Sequence, residues 1–172
     1  KFLTKYECSG VSIKDGENAV NSIKSLILST HNHRVTSNYG SFGGEYNYKN
    51  MILVSSIDGV GTKSLYVEKL YGEEAYINLG KDLVNHSIND ILVQGAFPLF
   101  FLDYFGCDNL NKNIFKNFIT GVCEICKEEN IVLLGGETAE LNNTYNNKCN
   151  DLVGCIVGYK DTNFFKNKIE KG

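Results

Sequence analysis

Apolar residues at positions 19, 20, 23, 26 and 27 recur at the spacing of one helix face and predict a helix over 19–30. Residues 1–18 before it read as irregular, with turn material in SG and KDGEN. The stretch that follows, HNHRVTSNYGSFGGEYNYKN (31–50), is polar and glycine-bearing with no periodicity. It reads as a functional loop or a disordered segment. The run MILVSSI (51–57) is a strand. Ala75, Leu79, Leu83, Val84, Ile88, Ile91 and Leu92 then fall three and four apart, which predicts a helix of about five turns within 73–95, closing near Gly95. PLFFLDYF (98–105) is a strand with proline first, where a missing N–H is tolerated. Ile114, Phe115, Phe118, Ile119, Val122, Ile125 and Cys126 share one face of a second long helix, 111–130. IVLLGGET (131–138) and DLVGCIVGYK (151–160) are strands, and ELNNTYNNKCND (140–151) is a loop.

The order expected after residue 50 is therefore β-α-β-α-β-β. That is an α+β fold: a mixed sheet of about four strands with two long helices on one face. The chain divides into an N-terminal segment carrying the glycine-rich loop (1–50) and a core domain (51–172). One problem is built into this arrangement. PLFFLDYF is apolar on both faces, and IVLL nearly so, whereas two helices cover only one side of a sheet. The other side needs an apolar partner, and the simplest is a second copy of the same sheet in a two-fold dimer.

Composition narrows the classes. The chain has 172 residues, 42% of them apolar and 22% charged, which suits one globular domain. A net charge of −3 gives no electrostatic reason for nucleic-acid binding. No apolar run approaches the roughly 20 residues that span a bilayer. KFLTKYECSG has no apolar core of a signal peptide, so a cytoplasmic protein with its six cysteines as free thiols is expected. CEIC (123–126) is a CxxC, a redox or half-zinc spacing. Inside an amphipathic helix it reads as two small core residues at i and i+3. His31, His33 and His86 form no metal-binding motif.

Candidate chemistry sits where apolar elements end. In DGVGTK (58–63), Gly59 and Gly61 allow positive φ and can turn backbone N–H groups to one side as an anion cradle. Thr62 adds a hydroxyl and Lys63 a positive charge. Asp58 fits beside an anion if a divalent cation bridges the two. A plain Asp-Gly turn is the structural alternative. Asp90 borders the apolar stripe of the first long helix. Glu137 follows two glycines at a strand end, with Thr138 beside it. Asp103, within FFLDYF, must be paired, metal-bound or near an edge. The three acids Asp58, Asp90 and Glu137 point to a magnesium and phosphate site.

The motifs SSIDGVGTK, VNHSINDILVQGAFPLFFLDYF and VLLGGETAEL, in this order and spacing, resemble the phosphoribosylformylglycinamidine cyclo-ligase (aminoimidazole ribonucleotide synthetase) family. The opening YECSGVSIKDGENAVNSIK and the closing DLVGCIVGYKD are similar to that family's as well. The resemblance implies ATP-dependent closure of the imidazole ring in purine synthesis, with formylglycinamidine ribonucleotide as substrate and Mg2+ required. It implies homodimers whose sheets pair into a barrel. By the same resemblance Asp58, Asp90 and Glu137 hold the metal. Lys63, Asp90 and Glu137 are the catalytic set, and Gly59, Gly61, Thr62, Lys63 and Thr138 lie at the phosphates. The loop around Gly40, Gly43 and Gly44 is expected to be a nucleotide lid. Some positions depart from the family: Ser12 and Lys14 replace acids of the opening, and ELNNTY replaces a proline turn. The family's C-terminal half has no counterpart here. An expected alternative is thus a half-length, non-catalytic nucleotide-binding dimer, or a modulator of a full-length enzyme.

Overall fold

The structure, a computed structural model, describes residues 10–145 and 149–160. Cys8, the rest of the opening before Gly10, residues 146–148 of the expected loop and everything after Lys160 lie outside the described residues. The elements are α1 (Ile13–Leu28), β1 (Gly44–Tyr48), β2 (Met51–Gly59), α2 (Lys63–Tyr71), α3 (Ala75–Leu92), β3 (Phe97–Cys107), α4 (Lys112–Glu128), β4 (Val132–Glu140) and β5 (Asp151–Lys160). One sheet runs in the order β1-β2-β5-β3-β4. Only β3 and β4 are parallel; the other neighbours are antiparallel. This is an α+β fold on a mixed sheet.

Three expectations are corrected. The sheet has five strands, because β1 forms inside the stretch read as loop. It pairs with β2 through a tight hairpin, with Lys49 at φ 57 in the turn. Its buried residue is an acid: Glu45 meets Lys160 of β5, and Thr36 Oγ1 donates to it at 3.0 Å. A short helix, α2, lies between β2 and α3 where none was expected. Finally, α1 begins at Ile13 instead of 19, because Ser12 caps it: its Oγ accepts the Asp15 N–H at 3.2 Å.

The core lies between the sheet and the pair α3–α4. Val54, Phe101, Phe105, Leu152 and Ile156 from the strands meet Leu83, Ile91, Phe118 and Val122 from the helices, all essentially inaccessible. The two helices touch backbone to backbone. A Cβ on Gly121 would lie 1.9 Å from the Ile77 carbonyl oxygen, and one on Gly80 would lie 2.2 Å from that of Phe118. The opposite face of the sheet carries no helix among the described residues. Ile57, Val132, Leu134 and Phe97 are exposed. Helix α1 buries none of its residues.

Candidate functional site

The end of β2 brings the first segment out of the sheet. Its residues Ser56–Gly59 pair with β5 on one side. On the other side β1 stops opposite Ser55, so that edge is open among the described strands. Ser56 Oγ lies 2.9 Å from Asp90 Oδ2 on α3 and 3.0 Å from the Phe42 carbonyl oxygen. Its single proton serves one acceptor at a time. Ser56 therefore joins β2, α3 and the glycine-rich loop at one point.

Asp58 lies two positions further along the same face of β2, about 7 Å along the strand. Its Oδ1 accepts the Gly59 N–H at 2.7 Å. Val60 N–H is held by the Leu152 carbonyl, and Gly61, at φ 67, turns the chain into α2. Thr62 occupies the N-cap position of α2 without a side-chain cap bond. Its hydroxyl and the first N–H groups of α2 thus stand at the positive end of a helix, where anions are favoured. Lys63 Nζ forms a half-exposed ion pair with Asp82 of α3. Gly43 sits tight against β2, since a Cβ there would lie 2.9 Å from Val54 Cγ1; Gly44 pairs with Ser55. Asp58, Asp90, Thr62, Lys63 and the glycine-rich loop therefore share one region.

Glu137 does not join them within one chain. The register runs from Asp58 through Gly154 and Asp103 to Gly136, three strands away or about 14 Å. Glu137 pairs with Tyr104, and Thr138 with Phe105. Because Phe101, Asp103 and Phe105 face the helices, Glu137 lies on the open face and Thr138 on the helix side. Among the described residues no three His, Cys, Asp or Glu side chains are placed to hold a metal ion.

Three participants were not anticipated: Ser56, the Phe42 carbonyl and Asp82. Asp82, His86 and Asp90 are spaced four apart on α3, a signal that could have marked one polar flank. Nothing in the sequence marks Ser56. His86 contributes a further feature, since its Nε2 is buried without a hydrogen-bond partner among the described residues. Asp103 is 9% exposed, and burial pushes its carboxyl up to about 6, partly offset by its own backbone N–H. Within CEIC, Cys126 is a core residue whose thiol burial pushes up to about 11; Cys123 is half-buried, and both are free.

The N-terminal domain of the AIR synthase related proteins matches residues 46–159, well over half of the chain. The chain belongs to this family. It is 41% identical over 160 residues to the phosphoribosylformylglycinamidine cyclo-ligase of Fusobacterium nucleatum, covering 91% of this chain and 46% of that protein. It is 44% identical over 163 residues to the enzyme of the same name from Caldicellulosiruptor bescii, with the same coverage. The chain thus spans about half the length of the curated relatives it matches. In fold it is similar to T. maritima PurL complexed with ATP, with a TM-score of 0.60, 14% identity, and coverage of 80% of this chain and 23% of that one. No helix among the described residues is long and apolar enough to cross a membrane.

Proposed function

We propose that this chain supplies the ATP-handling half of a cytoplasmic cyclo-ligase that converts formylglycinamidine ribonucleotide to aminoimidazole ribonucleotide in purine synthesis. The observation that carries this reading is the junction at Ser56. It gathers the glycine-rich loop, Asp90 and the end of β2 beside the start of α2. The identity to cyclo-ligases supports the choice of reaction.

In this reading ATP transfers its γ-phosphoryl group to the formyl amide oxygen. The substrate amine attacks the activated carbon, and phosphate leaves. The protein's work is placement and offsetting of charge. The N–H groups at the start of α2, with Gly59, Gly61 and the Thr62 hydroxyl, receive phosphate oxygens. Lys63 exchanges Asp82 for the phosphates. The segment with Gly43 and Gly44 closes over the nucleotide. Asp58 and Asp90 are a donor pair suited to Mg2+, which binds through one or two carboxylates together with substrate phosphates and would neutralise their charge. Glu137 and Thr138 act from the far end of the same sheet, Glu137 on its open face and Thr138 on its helix side. Pairing two sheets over the open face would cover Ile57, Val132 and Leu134. A second reading is a non-catalytic nucleotide-binding dimer or a modulator of a full-length enzyme. The separation of Glu137 from Asp58 and Asp90 within one chain favours it.

The test is calorimetric titration with Mg-ATP, paired with ADP release from formylglycinamidine ribonucleotide with and without a full-length relative. Asp58→Asn should weaken Mg-ATP binding by about tenfold or more while leaving the melting temperature almost unchanged. Unchanged affinity in that variant would sink the assignment. ADP release that appears only with the full-length relative would favour the second reading.

A further inference from the structure

The glycine-rich loop is attached to the rest of the chain at two points of very different strength. Its root is Glu45, the buried acid of β1, which is 9% exposed. One carboxylate oxygen, Oε1, pairs with Lys160 at the end of β5. The other accepts Thr36 Oγ1 at 3.0 Å. The backbone of Glu45 closes the same clasp. Its N–H donates to Ser37 Oγ at 3.0 Å, and its carbonyl accepts the Thr36 N–H at 3.1 Å. Thr36 and Ser37 lead into the loop and Glu45 leads out of it, so one residue holds both ends together. Lys160 Nζ also reaches the Gln94 carbonyl just past α3, at 3.4 Å. The root is thereby tied to α3 and β5, two elements that pack the core.

The tip is held less firmly. The Phe42 carbonyl accepts from Ser56 Oγ, whose single proton also serves Asp90. The Phe42 side chain is 74% exposed. Between root and tip, Gly40 takes φ 86. Tyr39 donates to the Val20 carbonyl of α1 at 3.1 Å, and Lys24 of the same helix lies 6.0 Å from the centre of its ring. Because α1 buries none of its residues, it offers little resistance when the loop moves.

The two attachments differ in what breaking them costs. Release of Phe42 from Ser56 loses a bond that Asp90 replaces. Release of Glu45 from Lys160 strands two buried charges, which is strongly unfavourable. As a source of stability such a pair is modest, because desolvation offsets most of its attraction. Its stronger effect is to hold one geometry.

We propose that Glu45 is a positioning residue. Clasped to Lys160, it is the fixed pivot on which residues 38–42 swing away from Ser56 and close over the nucleotide. This rests on the nucleotide reading of the site. It adds which contact of the loop breaks and which residue sets where the loop lands.

The experiment joins two measurements on the full chain. The first needs no nucleotide and follows hydrogen exchange of the amides in 38–44. Glu45→Leu combined with Lys160→Met removes both charges together, so neither is left buried alone and the net charge is unchanged. It should speed exchange in 38–44 by about tenfold or more, while exchange in β3 and α4 and the melting temperature stay as they were. Glu124→Gln, which breaks the exposed pair with Lys81, should leave the loop unaffected. The second measurement is calorimetric titration with Mg-ATP, which the double variant should bind about tenfold more weakly. If the double variant does not fold, Thr36→Val takes its place. It deletes the hydroxyl on Oε2, keeps the ion pair, and should shift both readouts the same way by about threefold.

Unchanged exchange in 38–44 overturns the proposal. So does faster exchange spread evenly over the sheet, which would make Glu45 a general stabilising residue. A loosened loop with full Mg-ATP affinity overturns it as well, since the loop would then close without its pivot. An unaltered chain that binds no Mg-ATP sinks the nucleotide reading itself, and the closing role with it.

Discussion

The two faces of the sheet are made by the same strands and have opposite surroundings. On the helix side Val54, Phe101, Phe105, Leu152 and Ile156 are sealed beneath α3 and α4. On the other side Ile57 is 72% exposed, Leu134 61% and Val132 57%. Burial of apolar area is worth about 25 cal/mol per Å², so the helix face already contributes most of what these strands can supply to one chain. The open face holds the same kind of side chain in reserve. In the proposed function the exposed side of the sheet packs against a second chain.

Substitutions at three positions test this contrast. Phe105→Ala, on the covered face and in ring contact with Phe115 and Phe118, should cost about 3–5 kcal/mol in chemical denaturation. A loss below about 1 kcal/mol would mean that the helix face is not the stabilising layer.

Asp103 is the one acid on that covered face of β3. Its folded pKa of about 6 lies above the ordinary carboxylate value. The folded chain therefore holds the proton more tightly than the unfolded one, and stability falls as pH rises from about 4 to about 6. Asp103→Asn should add about 1–3 kcal/mol at pH 7.5 and almost nothing near pH 4. A gain of equal size at both pH values would refute the burial argument.

The smallest effect on folding is expected on the open face. Leu134→Ala should change the stability of an isolated chain by no more than about 0.5 kcal/mol. Leu134→Lys should abolish concentration-dependent self-association in sedimentation. Sedimentation of the unaltered chain as a monomer at high concentration would leave the open face without its proposed partner.

Much of this was legible because the long elements carry strong periodicity. α3, α4, β3, β4 and β5 emerged near their expected positions, since their apolar residues repeat at 3.6 or 2 over many residues. The elements that were missed are short or polar. GEYNY has one buried residue, Glu45, whose acceptability depends on Lys160, 115 positions away. KSLYVEKLY shows little periodicity over its nine residues. The early start of α1 was readable in principle, because Ser12 followed three residues later by Asp15 is a capping signal. The candidate site divides in the same way. Asp58, Thr62, Lys63 and Asp90 could be picked out by residue type and position. Ser56, which links Asp90 to the glycine-rich loop, looks like any polar residue in a strand.

The amino-acid order alone determined the two long helices α3 and α4, the central strands, the acids at their ends and the apolar character of both sheet faces, because these follow from local periodicity and residue chemistry. Only the tertiary structure decided which acids share a site. Strand order is set by long-range pairing, and here it placed β5 and β3 between β2 and β4. That separates Asp58 from Glu137 by three strand spacings, however alike the two motifs look along the chain.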